Sequence, residues 1–156
     1  MLAAFVIGAF VLLAASSGAV FKPGEWYDTL KKPSWTPPDW AFPVVWTVLY
    51  IMIGYAGWLV WQAAGVGLAM ILWAVQLVLN GAWSWLFFGR KRMDLAFAEV
   101  CALWLSTAGF ILAAYPVSAV ASLLFVPYLA WVTTAAALNF TVWRMNPDQV
   151  SGPQPL

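Results

Sequence analysis

Four side chains with something to offer a ligand fall at helical spacing inside an apolar stretch: Trp73, Gln76, Asn80 and Trp83. Steps of three, four and three residues place them on one helix face, which Phe87 extends by a turn. Two primary amides and two indoles can form hydrogen bonds and present flat apolar area, yet they include no strong acid, base or nucleophile. The spacing allows two roles: bonding to neighbouring helices, or contact with a ligand in a cavity. Two further stripes carry aromatics beside small residues, namely Trp46, Tyr50, Ile53, Gly57 and Trp61, and Tyr128, Trp131, Ala135 and Leu138. Three such faces turned inward predict a flat-walled apolar cavity with few polar anchors.

The missing residues narrow the chemistry further. With no histidine, a His-ligated metal, a His general base and a Ser-His-Asp triad are excluded. The single cysteine, Cys101, cannot form an internal disulfide and sits in an apolar run, where it reads as an inert packing residue. No glycine-rich phosphate loop is present. A net charge of +1 argues against nucleic acid as a partner.

These faces need helices to carry them, and composition says in what solvent. The 156 residues are 64% hydrophobic and 8% charged, with mean hydropathy +0.84, far from a soluble domain. Windows at about 2–21, 41–63, 66–88, 93–115 and 117–143 are each long enough to span a bilayer. The regular short alternation of an outer-membrane barrel is absent, so the expected fold is all-α, a single bundle of five transmembrane helices over 1–156. The first window lacks a basic n-region and is long, so it reads as a retained span.

Trp58, Trp61 and Trp143 lie near span ends and fit an interfacial aromatic belt, whereas Trp46, Trp73, Trp104 and Trp131 lie within spans, where an indole N–H should find a partner. Pro127 should kink the last helix. Asp94 suits a helix start, and Glu99, an acid well inside a span, is expected to face the interior, be neutral or lie near the boundary, with a structural partner favoured over a proton relay.

The connections are uneven. The turns near Ala64–Gly67 and Tyr115–Ser118 are short and uncharged, while residues 22–40 form a long first loop. Pro33, Pro37 and Pro38 restrict that loop, and Trp26, Trp35 and Trp40 give it area to pack, so it should be ordered. We read it as a lid whose closure controls ligand exchange.

The blocks WYDTLKKPSWTPP, VVWTVLYIMIGYAGWLVW, QLVLNGAWSWLFFGRKRM, FVPYLAWVTTAAALNF and VWR, in order from Trp26 to Arg144, resemble the tryptophan-rich sensory protein family. It is also called the translocator protein or peripheral benzodiazepine receptor family (TspO/TSPO). The resemblance implies five transmembrane helices, usually a homodimer in bacteria, around a pocket capped by the first loop. It implies binding of porphyrin or haem and of benzodiazepine-type ligands, and in animals of cholesterol. By motif position it places Tyr27 and Pro37 in the lid, and Trp46, Tyr50, Asn80, Trp83, Trp131 and Ala135 in the pocket wall. Trp35 joins Tyr27 as a lid aromatic able to cover the ligand.

Two departures stand out: the sterol motif lacks its tyrosine, since Phe140 and Thr141 occupy the candidate places, and Glu99 stands where the family commonly has Asp. The leading expectation is a membrane receptor or sensor for tetrapyrroles that needs no cofactor, with Lys31, Lys32, Arg90 or Lys91 near the mouth to meet propionates. The alternatives are light- and oxygen-dependent porphyrin breakdown, with Trp46 and Trp131 as redox-active neighbours, and transport of porphyrin, lipid or sterol.

All seven basic residues, Lys22, Lys31, Lys32, Arg90, Lys91, Arg92 and Arg144, fall at one end of the alternating spans. By the positive-inside rule that end is cytoplasmic in an inner membrane, and the pattern does not select between inner and outer membranes. A reporter fused after Leu156 should therefore be cytoplasmic and one inserted at Ala64–Gly67 should lie opposite. Signals from the same side would refute five spans.

Overall fold

The computed structural model describes residues 1–149, so the fusion point after Leu156 and the rest of 150–156 lie outside the described part. Five helices are long and apolar enough to cross a membrane, and no strand occurs among the described residues. They are α1 (Leu2–Val20), α3 (Ala41–Ala64), α4 (Leu68–Ser84, continued by a π-helical turn Trp85–Gly89), α5 (Met93–Ala114) and α6 (Ala119–Met145); a short α2 (Glu25–Thr29) lies in the first loop. The all-α, five-span fold expected from hydropathy is thus the observed one.

Local chemistry explains the ends. Gly65 terminates α3 at φ 60°, a left-handed conformation that costs glycine little. Tyr115 still has helical dihedrals and its N–H still donates to Ile111 O, so α5 ends only at Pro116, which has no N–H to continue it, and Ser118 caps α6 by accepting a hydrogen bond from Ala121 N at 3.3 Å.

The spans pack side by side in a closed ring, α1 against α3, α3 against α6, α6 against α5, α5 against α4 and α4 back against α1. Lipid tails are as apolar as leucine, so the helices are held by close packing and internal hydrogen bonds more than by apolar burial. Small residues permit the close approaches. Gly81 lets the α1 backbone near, and Ser17 Oγ of α1 donates to its carbonyl. Gly57 of α3 packs against the Trp73 indole of α4, whose Nε1 donates to Ile53 O at 2.9 Å.

A chain of side chains crosses the ring interior. Tyr50 Oη donates to Asn80 Oδ1 at 2.6 Å, Asn80 Nδ2 donates to Tyr128 Oη at 2.9 Å, and Tyr128 Oη donates to Gln76 Oε1 at 2.8 Å. Gln76 Nε2 completes it by donating to Trp73 O at 2.9 Å. The chain ties α3, α4 and α6 together and satisfies both amides in a region without water.

Glu99 faces the interior as expected, without the structural partner favoured for it. Both its carboxyl oxygens are buried without a hydrogen-bond partner among the described residues, and the neighbouring buried positions on α5, Ala96, Val100 and Leu103, are apolar. Asp94 does lie in the first turn of α5, where it takes two hydrogen bonds from Arg92 at 2.9 and 2.6 Å.

Two stability tests follow. A Cβ at Gly57 would fall far inside contact distance of the hydrogen-bonded indole, whereas one at Gly54 meets only Val11 Cγ2 at 3.7 Å. Gly57→Ala should destabilise the detergent-solubilised protein by ~1 to 3 kcal/mol and Gly54→Ala should not; equal melts would show that Trp73 swings aside freely. Glu99→Gln loses no hydrogen bond, so its melt should match or exceed that of the parent, and a large loss would reveal a partner for the carboxyl.

Candidate functional site

The site begins with the π-helical turn at the end of α4. Arg90 N donates to Trp85 O at 2.8 Å, and Arg92 N to Leu86 O at 3.1 Å, wider closures than an α-helix makes. Consecutive residues on an α-helix diverge by about 100°, yet here Phe87 and Phe88 both reach one cavity. Their rings meet edge to face at 4.9 Å, and Trp83 stacks on Phe87 at 5.2 Å.

The first loop closes over these rings. A five-residue helix such as α2 has no stability of its own, so it depends on packing. Tyr27 meets Phe88 and Phe87 edge to face at 5.5 and 6.2 Å, and Trp26 meets Phe87 at 6.0 Å. Leu30 is buried in a second apolar cluster with Phe87, Met93 and Leu138. Asn146, just beyond α6, holds the backbone that follows: its Oδ1 accepts from Lys31 N and its Nδ2 donates to Lys31 O, both at 2.9 Å. The loop is thus packed and hydrogen-bonded onto the bundle, and α2 and the Asn146 clamp are features that composition did not announce.

Beneath the loop lies a cavity lined by Tyr27, Pro37, Phe42, Trp83, Phe87, Phe88, Trp131, Thr134, Ala135, Leu138, Asn139 and Val142. The polar groups of Asn139 and Thr134 are already engaged. Asn139 Oδ1 accepts from Trp83 Nε1 at 3.1 Å, Asn139 Nδ2 donates to Met93 O at 2.9 Å, and Thr134 Oγ1 donates to Ala130 O at 3.1 Å. Burial pushes the Tyr27 phenol above its ordinary pKa, with Asp39 and then Asp28 adding to the rise, so it stays a neutral donor at physiological pH. The volume is only about 40 Å³, room for water but not for a large ligand.

Of the residues singled out from sequence, Tyr27, Pro37, Trp83, Trp131 and Ala135 line this cavity. Trp46, Tyr50 and Asn80 lie outside the lining. Trp46 stacks on Tyr50 at 5.4 Å and meets Tyr128 edge to face at 6.2 Å, while Tyr50 and Asn80 belong to the interhelical chain. Trp35 is 49% exposed and also lies outside it. Of the within-span indoles, Trp73 and Trp104 find acceptors in Ile53 O and Thr133 Oγ1, and Trp46 and Trp131 have none among the described residues. Trp58 and Trp61 are exposed, as belt residues should be, whereas Trp143 is half-buried against Phe97.

Sequence reasoning missed Phe42, Phe88, Thr134, Asn139 and Val142 as lining residues. Phe42 lies four residues before Trp46 and extends its stripe, so periodicity carried a signal; Asn139 was visible as an amide in an apolar run. Phe88 carried none, because only the π-helical turn brings it round.

Basic groups crowd the same end of the bundle. Lys32 Nζ lies 4.6 Å from the centre of the Tyr27 ring, Lys91 Nζ 5.8 Å from that of Trp26, and Arg90 5.7 Å from that of Trp85. These cations rest on the aromatic faces of the loop and the π-helical turn.

Comparison with known proteins agrees with this architecture. Residues 2–144 match the model of the TspO/MBR family. The chain is 46% identical over 132 residues to the tryptophan-rich sensory protein of Cereibacter sphaeroides, covering 85% of this chain and 84% of that one. It is 44% identical over 142 residues to protein CrtK of Rhodobacter capsulatus, covering 87% and 88%. It is also 39% identical over 137 residues to the human translocator protein, covering 83% and 81%. With a match across nearly the whole chain and five apolar helices around an aromatic cavity, the chain belongs to the TspO/MBR family of integral, multi-pass membrane proteins.

Proposed function

We propose that the protein is a membrane receptor or sensor for tetrapyrroles, taken up beneath the first-loop lid. The observation that carries this reading is the convergence of six aromatic rings, Tyr27, Phe42, Trp83, Phe87, Phe88 and Trp131, on one cavity with lysines and arginines around its roof. A porphyrin is a wide apolar disc with two carboxylates on one edge. Aromatic faces match the disc, and Lys31, Lys32, Arg90 or Lys91 match the edge. Benzodiazepine-type ligands share the flat apolar character and belong to the same proposal, as does assembly as a homodimer; a sterol is a poorer first guess, because Phe140 and Thr141 stand where the sterol motif needs its tyrosine. Protein CrtK, tryptophan-rich sensory protein and translocator protein are the names of relatives, and the sensing reading is extended from such a name to this chain.

The collapsed cavity sets a condition on this function. Ligand sites are usually ~300 to 1,000 Å³, so the aromatic walls must separate before a macrocycle can enter. Binding would then stabilise an expanded state and convert ring–ring contacts into ring–ligand contacts.

Titration of the purified protein with protoporphyrin should quench tryptophan fluorescence saturably. Trp131→Leu, which removes a lining ring, should weaken binding by ~1 to 3 kcal/mol, and the lipid-facing Trp58→Leu should leave it unchanged. Equal losses at both positions would mean partition into the micelle and would overturn the reading. Illumination of the complex in air gives the enzymatic alternative its own readout, a porphyrin spectrum that changes with the parent protein and not with Trp131→Leu.

A further inference from the structure

We infer that the ligand of this cavity enters and leaves sideways, through a gate between α3 and α6 that opens into the bilayer, with Trp131 as its leaf. This rests on the cavity being the ligand site. It departs from the expectation that the lid controls exchange.

A groove of about 420 Å³ runs between the two helices, lined by Val44, Val48 and Met52 on α3 and by Pro127, Ala130 and Trp131 on α6. Val44, Val48 and Ala130 are exposed on the outer surface of the bundle. Thr134 sits eleven positions before Met145, ~16 Å along α6 from its lid end, and Val44 lies three positions, ~5 Å, into α3, so the groove runs down the flank of the bundle from near the lid end toward hydrocarbon depth. Its walls are apolar and Ala130 leaves a recess, so a flat apolar molecule dissolved in the bilayer would find a fitting surface there.

The groove and the closed cavity share two lining residues, Trp131 and Thr134. Thr134 turns its hydroxyl back to Ala130 O and leaves the passage to Trp131. The Trp131 indole meets Phe42 edge to face at 5.7 Å, and no hydrogen bond holds its N–H among the described residues. Trp73, Trp83 and Trp104 are each fixed by such a bond. A change of rotamer at this one unbonded side chain would join groove to cavity.

The roof is fastened differently. Opening it would break both Asn146 bonds to Lys31, withdraw Leu30 from its buried cluster and separate Tyr27 from Phe87 and Phe88. Together these contacts cost more than the one ring contact with Phe42 that Trp131 gives up on turning, so the side wall yields before the roof.

The test fills the groove from the lipid side. In nanodiscs, Ala130→Phe should slow both association and dissociation of protoporphyrin tenfold or more while changing Kd less than about twofold. The double variant with Asn146→Ala, which loosens the roof, should stay slow. Unchanged rates in Ala130→Phe, or fast exchange restored in the double variant, would place the route under the lid and overturn the inference. A weakened Kd with unchanged association would make the groove part of the site and overturn it equally. Absence of saturable porphyrin binding by the parent would instead remove the ligand reading, and the gate then has a ligand-free readout. Phospholipid brominated on its acyl chains should quench Trp131 emission, taken as the difference between the parent and Trp131→Phe, and Ala130→Phe should abolish that quenching. No quenching in the parent background would overturn the gate.

Discussion

Inside a bilayer every polar group needs a partner within the protein, and the chain from Tyr50 through Asn80 and Tyr128 to Gln76 is where this molecule meets that demand. Bonds of this kind contribute about 0.6 to 2 kcal/mol each, modest singly, but here they join three helices at one level. The Trp73 indole, bonded to Ile53 O and packed on Gly57, adds a second tie between α3 and α4 one to two turns further along. Helix register is set here, and the cavity above inherits its geometry.

Above this level the protein changes character. Below, amides and hydroxyls are matched; above, the walls are rings held to one another by edge and face contacts, with Asn139 and Thr134 as polar exceptions, both already engaged. Ring contacts are individually worth only about 0.5 to 1.5 kcal/mol and can be exchanged for contacts with a flat guest. A rigid polar base under a yielding aromatic chamber suits reversible uptake of an apolar ligand. Glu99 remains the exception to the matching, an acid without a partner among the described residues on an otherwise apolar stretch of α5.

The loop that roofs the chamber is joined to the far end of the chain. Asn146 follows α6, yet its amide brackets the backbone of Lys31, while Leu30 enters a cluster built from α4, α5 and α6. The short α2 exists because Trp26 and Tyr27 find Phe87 and Phe88, and those rings are available because α4 ends in a widened turn. Roof and π-helical turn are therefore one structural unit, stiffened by cations resting on its rings.

Much of this was legible from residue order alone. Long apolar runs determine helices because no other single segment satisfies its backbone in lipid, and their number, their near-correct ends and the all-α fold followed from that. The 3-4-3 spacing of Trp73, Gln76, Asn80 and Trp83 put them on one inward face, and recurrent blocks pointed to Tyr27, Pro37, Trp131 and Ala135, which the structure brings to the cavity. What periodicity could not decide was which inward residues meet empty space and which meet another helix. Asn80 and Tyr50 were equally suited to either, and only the approach of Tyr128 from α6 commits them to each other. Phe88 reaches the cavity through a backbone closure one residue wider than an α-helix, and Asn146 finds Lys31 across 115 positions; both depend on where other helices stand, which no local pattern encodes.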